Sequence, residues 1–248
     1  MNIGAQLYTV RDFCKTTEDL SLTLKKIADI GYRYVQVSGT CPYEANWLRG
    51  ELEKNGMSCV ITHIPSKKLI EKTQTVIDDH NVLGCEYIGL GYYSFDPLQE
   101  KYDAFCSTYK PVAEKIASEG KYFMFHNHAG EFQKLDNKTV IARLAEDFDT
   151  SMMGFTLDTY WVQVGGANPA DMIEMLSGRV PCIHLKDYSY QQKMSVVGEG
   201  NINFDRAFKK AEQAGVRYML VEQDDCGGED PFDCLRRSYG FLRSRGFE

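Results

Sequence analysis

The sequence predicts a single (β/α)8 (TIM) barrel over residues 1–248, and three observations carry that prediction. A helix-ending glycine followed by a β-rich run recurs six times. The spacing of these junctions divides the chain into eight units of about 31 residues, a supersecondary repeat rather than a scatter of elements. Polar side chains able to do chemistry gather at the ends of the β-rich runs, the rim at which barrels of this kind carry their sites.

In chain order, a first strand is expected at 3–7. Gly31 then leads into 32–37, Gly56 into 57–62, Gly84 into 85–90, Gly120 into 121–126, Gly178 into 179–184 and Gly215 into 216–221. Glycine closes a helix C-terminus in the left-handed conformation without a Cβ clash, so each one marks an α-to-β turn. Successive spacings are 25, 28, 36, 58 and 37 residues; 58 is twice 29, so a junction without its own glycine is due between Gly120 and Gly178. The run 152–157 fills it and brings the strands to eight. Helix starts are signalled by Thr16 or Thr17 ahead of Glu18 and Asp19, and by Asn168 before Pro169. Leu20, Leu22, Leu24, Ile27, Ala28 and Ile30 fit an amphipathic helix better than a strand. Strands alternating with helices imply parallel pairing through right-handed crossovers. The competing doubly wound sheet lacks its Gly-x-Gly-x-x-Gly phosphate turn after the first strand.

Composition narrows the partners. With 28 basic against 35 acidic residues the net charge is −7, and no dense basic run offers a nucleic acid or an anionic membrane its counterions. No basic-then-apolar leader opens the sequence, and no uncharged stretch reaches the roughly 20 residues that span a bilayer, so a cytoplasmic protein is expected. The eight cysteines form no Cys-x-x-Cys pair and read as free thiols in a reducing compartment. Cys59, Cys85 and Cys182 sit in apolar runs and are expected to act as small core hydrophobes. A homo-oligomer is compatible with the sequence.

Six or seven residues beyond each junction glycine stand His63, His126, His184 and Glu222, and Asp158 ends the sixth strand. Four of the five histidines, 63, 126, 128 and 184, lie at or just past strand ends; only His80 falls in a helix. A lone histidine there is ordinarily structural, but several imidazoles and carboxylates at one rim are hard to explain by packing. His126, Asp158, His184 and Glu222 come from neighbouring strands 5 to 8 and are expected to converge on one divalent ion. Two imidazoles and two carboxylates suit Mn²⁺, Zn²⁺, Co²⁺ or Fe²⁺ better than Ca²⁺ or Mg²⁺.

Strand alternation puts His128 on the face of His126, and Lys186 on that of His184. Lys186 is read either as a contact to substrate hydroxyl, carboxylate or phosphate, or as a surface lysine paired with Asp187. His63 is a substrate-binding candidate. Glu131 is a partner behind the site, a base, or a solvated side chain. The loop of Gly198, Glu199 and Gly200 either covers the site or is only a turn. Tyr8, Tyr92, Tyr93, Tyr160 and Trp161 are aromatics near the rim; Tyr8 and Trp161 are taken as faces for a small-molecule carbohydrate.

The stretches 3–12, 125–132, 157–161, 184–187, 198–200 and 221–224 resemble the sugar phosphate isomerase/epimerase group of the xylose isomerase-like barrels, over essentially the whole chain. The resemblance implies a metal-dependent enzyme in which a Glu, an Asp, a His and a second Glu from strands 5 to 8 bind one ion, the two Glu also forming the acid/base pair in ketose epimerases. Asp158, His184 and Glu222 match the last three positions. His126 stands at the first, a departure, and Gln36 stands where many relatives have a Glu after strand 2.

The expected chemistry is proton abstraction next to a carbonyl through a metal-stabilised enediolate, on a sugar or sugar phosphate. Glu222 is the favoured base, with His126, His128 or Glu131 opposite and Lys186 neutralising oxygen charge. Return of the proton to the other face gives an epimerase, and to the neighbouring carbon an isomerase. Loss of a β-leaving group gives a dehydratase or lyase on keto-sugars, keto-glycosides or inososes. A non-catalytic sugar-binding barrel is the remaining alternative; a multi-zinc endonuclease is disfavoured by five histidines and a charge of −7.

Overall fold

Eight parallel strands close on themselves in a computed structural model that describes residues 1–248. They are β1 (Asn2–Gln6), β2 (Tyr34–Val37), β3 (Ser58–His63), β4 (Tyr87–Leu90), β5 (Tyr122–His126), β6 (Met153–Asp158), β7 (Cys182–Leu185) and β8 (Tyr218–Val221). Each strand pairs with its neighbours in sequence and β1 closes onto β8, with Asn2 opposite Tyr218 and Ala5 opposite Val221. Antiparallel hairpins decorate the rim at Lys134–Leu135 with Lys138–Thr139 and at Asp187–Ser189 with Lys193–Ser195.

The outer layer is built from α1 (Thr17–Ile30), α2 (Ala45–Lys54), α3 (Ser66–Glu71), α4 (Thr73–Leu83), α5 (Leu98–Ser118), α6 (Val140–Asp147), α7 (Thr159–Val164), α8 (Pro169–Met175), α9 (Phe204–Gln213) and α10 (Pro231–Ser244). Two crossovers therefore carry a pair of short helices where one was expected. All six junction glycines have positive φ. At Gly84, with φ 65°, the amide turns back to the carbonyls of His80 and Asn81 and closes α4. Thr16 caps α1 by accepting from the Asp19 amide, and Asn168 caps α8 with Pro169 as its first residue. Leu20, Leu24 and Ile27 are buried in α1, but Leu22 is 62% exposed because two residues of helix turn it away from that stripe.

Most of the core lies between strands and helices. Inside the barrel, Ile61, Met124, Cys182 and Leu220 pack with Val60 and Tyr87 into a plug. These first four stand two residues before His63, His126, His184 and Glu222, the last of these just past the end of β8, so the pleat places them on the same face one layer below. The plug seals the floor under the polar rim. Cys59, Cys85 and Cys182 are all buried free thiols of the core.

Candidate metal centre and substrate cavity

The four converging side chains are set by strand register. Asp158 is opposite His184 across β6 and β7, His126 is opposite Thr156 across β5 and β6, and the Glu222 amide donates to the Leu185 carbonyl at 3.1 Å. One ligand atom from each of His126, Asp158, His184 and Glu222 lies within 4.8 Å of the other three, and all four residues are buried. Asp158 Oδ2 is 3.4 Å from His126 Nε2 and 3.6 Å from His184 Nδ1. His184 Nδ1 and Glu222 Oε2 face each other at 2.8 Å without an aligned hydrogen bond, and Glu222 Oε2 also meets the Lys186 ammonium at 3.0 Å. A buried nitrogen such as His184 Nδ1 is normally satisfied, and a cation shared with the carboxylates would satisfy it. The donor set thus fits a divalent ion of the imidazole-accepting kind.

Both imidazoles are held from behind. Nδ1 of His126 donates to the Gly91 carbonyl at 3.0 Å, leaving Nε2 toward Asp158. Nε2 of His184 donates to Gln36 Oε1 at 2.7 Å, leaving Nδ1 toward the carboxylates. Asp158 Oδ1 accepts from the Trp161 amide at 3.0 Å, so one carboxylate oxygen caps α7 while the other faces the cluster.

Lys186 is almost wholly buried and its Nζ lies 3.2 Å from Asp158, 3.0 Å from Glu222 and 3.0 Å from Asp224. Burial opposes its charge, but Asp158, Glu222 and Asp224 outweigh burial and raise its pKa. Burial likewise opposes ionisation of Asp158 and Glu222, and Lys186 with the neighbouring imidazoles holds both below the usual carboxylate range. For His184 burial is outweighed by Glu222 and Asp158, which push it up to about 9. Burial, then His126, keep His63 and His128 neutral, His128 being pushed down to about 3.

The cluster opens into a cavity of about 450 Å³ whose wall includes Tyr8, His63, Tyr92, His126, His128, Lys186, Glu222 and Asp224. That volume suits a small molecule. Two glycines make room for His63: a Cβ on Gly91 would sit 2.6 Å from its Nδ1, and one on Gly89 would sit 2.8 Å from its Cδ2.

The family model described as xylose isomerase-like TIM barrel matches residues 24–245, most of the chain. The chain belongs to this xylose isomerase-like family. No curated protein sequence matches it. Among solved structures, a sugar phosphate isomerase/epimerase from Parabacteroides distasonis superposes with a TM-score of 0.84 at 20% identity, covering 98% of this chain and 93% of that one. A D-allulose 3-epimerase from Methylomonas sp. gives 0.74 at 15% identity, with coverage of 99% and 98%. The probable 3-DHS dehydratase AsbF of Bacillus anthracis gives 0.75 at 15% identity, with coverage of 99% and 100%. At these identities the likeness is one of fold.

Within this xylose isomerase-like barrel, the other rim residues divide between wall and support. Tyr8 lines the cavity with the Arg11 guanidinium 4.4 Å from its ring centroid. Trp161 stands behind the wall, 5.0 Å from the His128 ring. Tyr160 donates to the Gln192 carbonyl and Tyr93 to that of Lys101, both away from the cavity. Glu131 is buried and also off the wall; it accepts from the His128 amide at 2.8 Å, and burial pushes its pKa up to about 7.

The alternative pairing of Lys186 with Asp187 is overturned, because adjacent strand residues face opposite ways. Asp187 instead accepts from the amides of Tyr188, Gly198, Gly200 and Ile202. The glycine loop is consequently tied down outside the barrel, where Gly198 and Gly200 line a separate depression with Phe241, and it does not cover the site. Asp224 was missed at the sequence level. It stands two residues beyond Glu222, as His128 stands beyond His126 and Lys186 beyond His184, so the same alternation would have found it.

Proposed function

We propose that this barrel is a metal-dependent isomerase or epimerase of a keto-sugar, working by proton transfer next to the carbonyl. The observation that supports it above all is the convergence of His126, Asp158, His184 and Glu222 at the floor of a cavity sized for a small molecule. A divalent ion held by these four side chains would polarise the substrate carbonyl and offset the negative charge that develops on its oxygen. Glu222, in the cavity wall and kept ionised by Lys186 and His184, is the base that takes the α-proton. Lys186 carries a fixed positive charge beside Glu222 and Asp158 and counters the charge of the enediolate. His128 is in the wall and is the group available for the second proton transfer, because His126, with Nδ1 bonded to the Gly91 carbonyl and Nε2 turned to the ion, has no nitrogen left for it; Glu131 acts through the His128 backbone rather than on substrate. His63 and Tyr8 bind the sugar, the ring of Tyr8 packing on its C–H face. The plug of Ile61, Met124, Cys182 and Leu220 keeps water from entering beneath the reacting carbons.

A β-eliminating dehydratase or lyase is the second reading, favoured by one feature. The first metal position carries His126 where a Glu would supply a matched carboxylate pair, and elimination needs one base and a separate acid at the leaving group. Eight free thiols suit a reducing compartment, and we place the reaction in the cytoplasm.

The test is a panel of keto-sugars incubated with the Mn²⁺-loaded protein in D₂O and read by NMR after metal removal. Deuterium should enter at the carbon next to the carbonyl, with a new epimer, aldose or dehydrated product identifying the reaction. Glu222→Gln should stop exchange while the fold survives. Exchange that continues undiminished in Glu222→Gln would remove that residue from the mechanism.

A further inference from the structure

The sheet ladder ends just before Glu222. Along the seam where β1 closes onto β8 the last paired residues are Ala5 and Val221, and between β7 and β8 they are Leu185 and Val221. Glu222 keeps one main-chain bond, from its amide to the Leu185 carbonyl. On the β1 side no strand backbone remains to hold the chain beyond it, because after Gln6 that chain winds into a short 3-10 turn, Leu7–Phe13.

Two side chains of this turn take over where the ladder stops. The buried Thr9 hydroxyl accepts from the Gln223 amide at 3.0 Å, a contact across 214 residues. The Arg11 guanidinium donates to the Asp224 carbonyl at 3.0 Å and to the Tyr8 carbonyl at 2.9 Å, so one fork ties the loop after β8 to the turn after β1. Neither Thr9 nor Arg11 lines the cavity or belongs to the cluster of four ligand candidates.

The segment they hold carries two carboxylates. Glu222 Oε2 stands 2.8 Å from His184 Nδ1 and 3.0 Å from the Lys186 ammonium, and Asp224 Oδ2 meets the same ammonium at 3.0 Å. The backbone from 222 to 224 therefore decides where both arrive. A buried amide deprived of its acceptor costs about as much as a lost hydrogen bond. Without the Thr9 oxygen, the peptide between Glu222 and Gln223 turns to find another acceptor and carries Glu222 with it.

We infer that Thr9 and Arg11 are positioning residues for the metal centre, replacing the sheet ladder beyond Val221 and so setting the direction in which Glu222 meets the ion and Asp224 meets Lys186. The inference rests on the metal-dependent reading of the site and adds to it two residues that touch neither ion nor substrate.

The experiment measures Zn²⁺ affinity by competition with a chelator for the wild type, Thr9→Val, Thr9→Ser and Arg11→Gln, with the fold of each checked by circular dichroism. Thr9→Val keeps the branched shape and removes the acceptor; it should weaken Zn²⁺ about tenfold or more, as should Arg11→Gln. Thr9→Ser keeps the acceptor and loses a buried methyl; it should stay within about twofold of the wild type. A packing role alone would rank the two Thr9 variants the other way, since Ser leaves the larger void. In a Glu222→Gln background Thr9→Val should add no further loss, because the side chain it aims is no longer a carboxylate ligand. Losses that multiply there would show Thr9 acting on the fold at large and would remove it from the inference. Unchanged affinity in both folded Thr9→Val and Arg11→Gln overturns the inference and leaves the metal centre standing, and if Thr9→Val does not fold, Arg11→Gln decides alone. A wild type that binds no divalent ion overturns the metal-dependent reading and this inference with it.

Discussion

Gln36 Oε1 lies 2.7 Å from Nε2 of His184, at the end of β2 and on the far side of the barrel from the chain neighbours of that histidine. The contact fixes which imidazole nitrogen carries the hydrogen and so leaves Nδ1 free for a metal. A Glu at position 36 would accept the same hydrogen bond but would add a negative charge beneath Asp158 and Glu222. Glutamine orients the ring without that charge. Gln36→Leu should therefore keep the barrel intact and weaken divalent-metal affinity by about 10- to 100-fold, measured by competition with a chelator. Unchanged affinity would show that His184 is positioned by the strand alone.

The ligand set makes a stronger demand. Purified protein should carry close to one divalent ion per chain by elemental analysis, as a set with one ligand atom from each of four side chains requires. Asp158→Ala and His184→Ala should each lose it. Retention of the metal in both variants would mean that the ion, if bound, sits elsewhere.

Lys186 separates the charge balance of the metal-free protein from that of the loaded one. Lys186→Met leaves Asp158 and Glu222 buried without their main counter-charge, which typically costs about 3–5 kcal/mol when one partner of a buried pair is removed. A bound divalent ion supplies that charge in another form. Mn²⁺ should thus raise the melting temperature of Lys186→Met by more than it raises that of the wild type. Equal shifts would show that Lys186 and the ion do not share these carboxylates.

The barrel was legible because its repeat is local: a glycine with positive φ announces six of the eight strands, as Gly84 does for β4. The rim histidines were legible for the same reason, since a strand that starts at a known place ends at a known place. What was not legible depends on direction or on distant chain segments. Leu22 belonged to an apolar pattern but faces solvent. Asp187 stands next to Lys186 and yet points outward, to amides 11 to 15 residues further along the chain. Gln36 meets His184 across 148 residues, a contact no spacing rule reveals.

The loop that closes on Asp187 has its own energetic signature. A Cβ on Gly200 would overlap the Asp187 carboxylate and come within 2.7 Å of the Tyr188 carbonyl. Gly200→Ala should destabilise the protein by about 1–3 kcal/mol in denaturant unfolding, because the loop must back away from the amides it presents. Gly50, inside α2 with open space around its Cα, is the counterpart: Gly50→Ala should stabilise by about 0.5–1 kcal/mol. If Gly200→Ala is neutral, the Asp187 network is looser than its hydrogen bonds indicate.

His80, in α4 on the helix side of β3, provides a pH-dependent test of the fold. Its Nδ1 donates to the Val76 carbonyl at 2.7 Å and its Nε2 accepts from the Thr62 hydroxyl at 2.9 Å, so the neutral ring ties α4 to β3. Burial pushes its pKa down to about 4, against the Val76 hydrogen bond that favours the charged form. Between the ordinary value near 6.5 and about 4, the unfolded chain takes up a proton that the folded chain refuses. Stability from this group is complete above that window and falls as pH drops through it, by up to about 1.4 kcal/mol per pH unit. Neutral His63 and His128 act in the same direction, whereas Glu131, protonated in the folded state up to about 7, acts in the opposite one. The His80 share is isolated by comparing the wild type with His80→Gln in urea unfolding from pH 7.5 to 4. His80→Gln should be less stable at pH 7.5, and its stability should decline with acid less steeply, by the equivalent of one bound proton. Parallel profiles would show that His80 is protonated in the folded state as readily as in the unfolded chain.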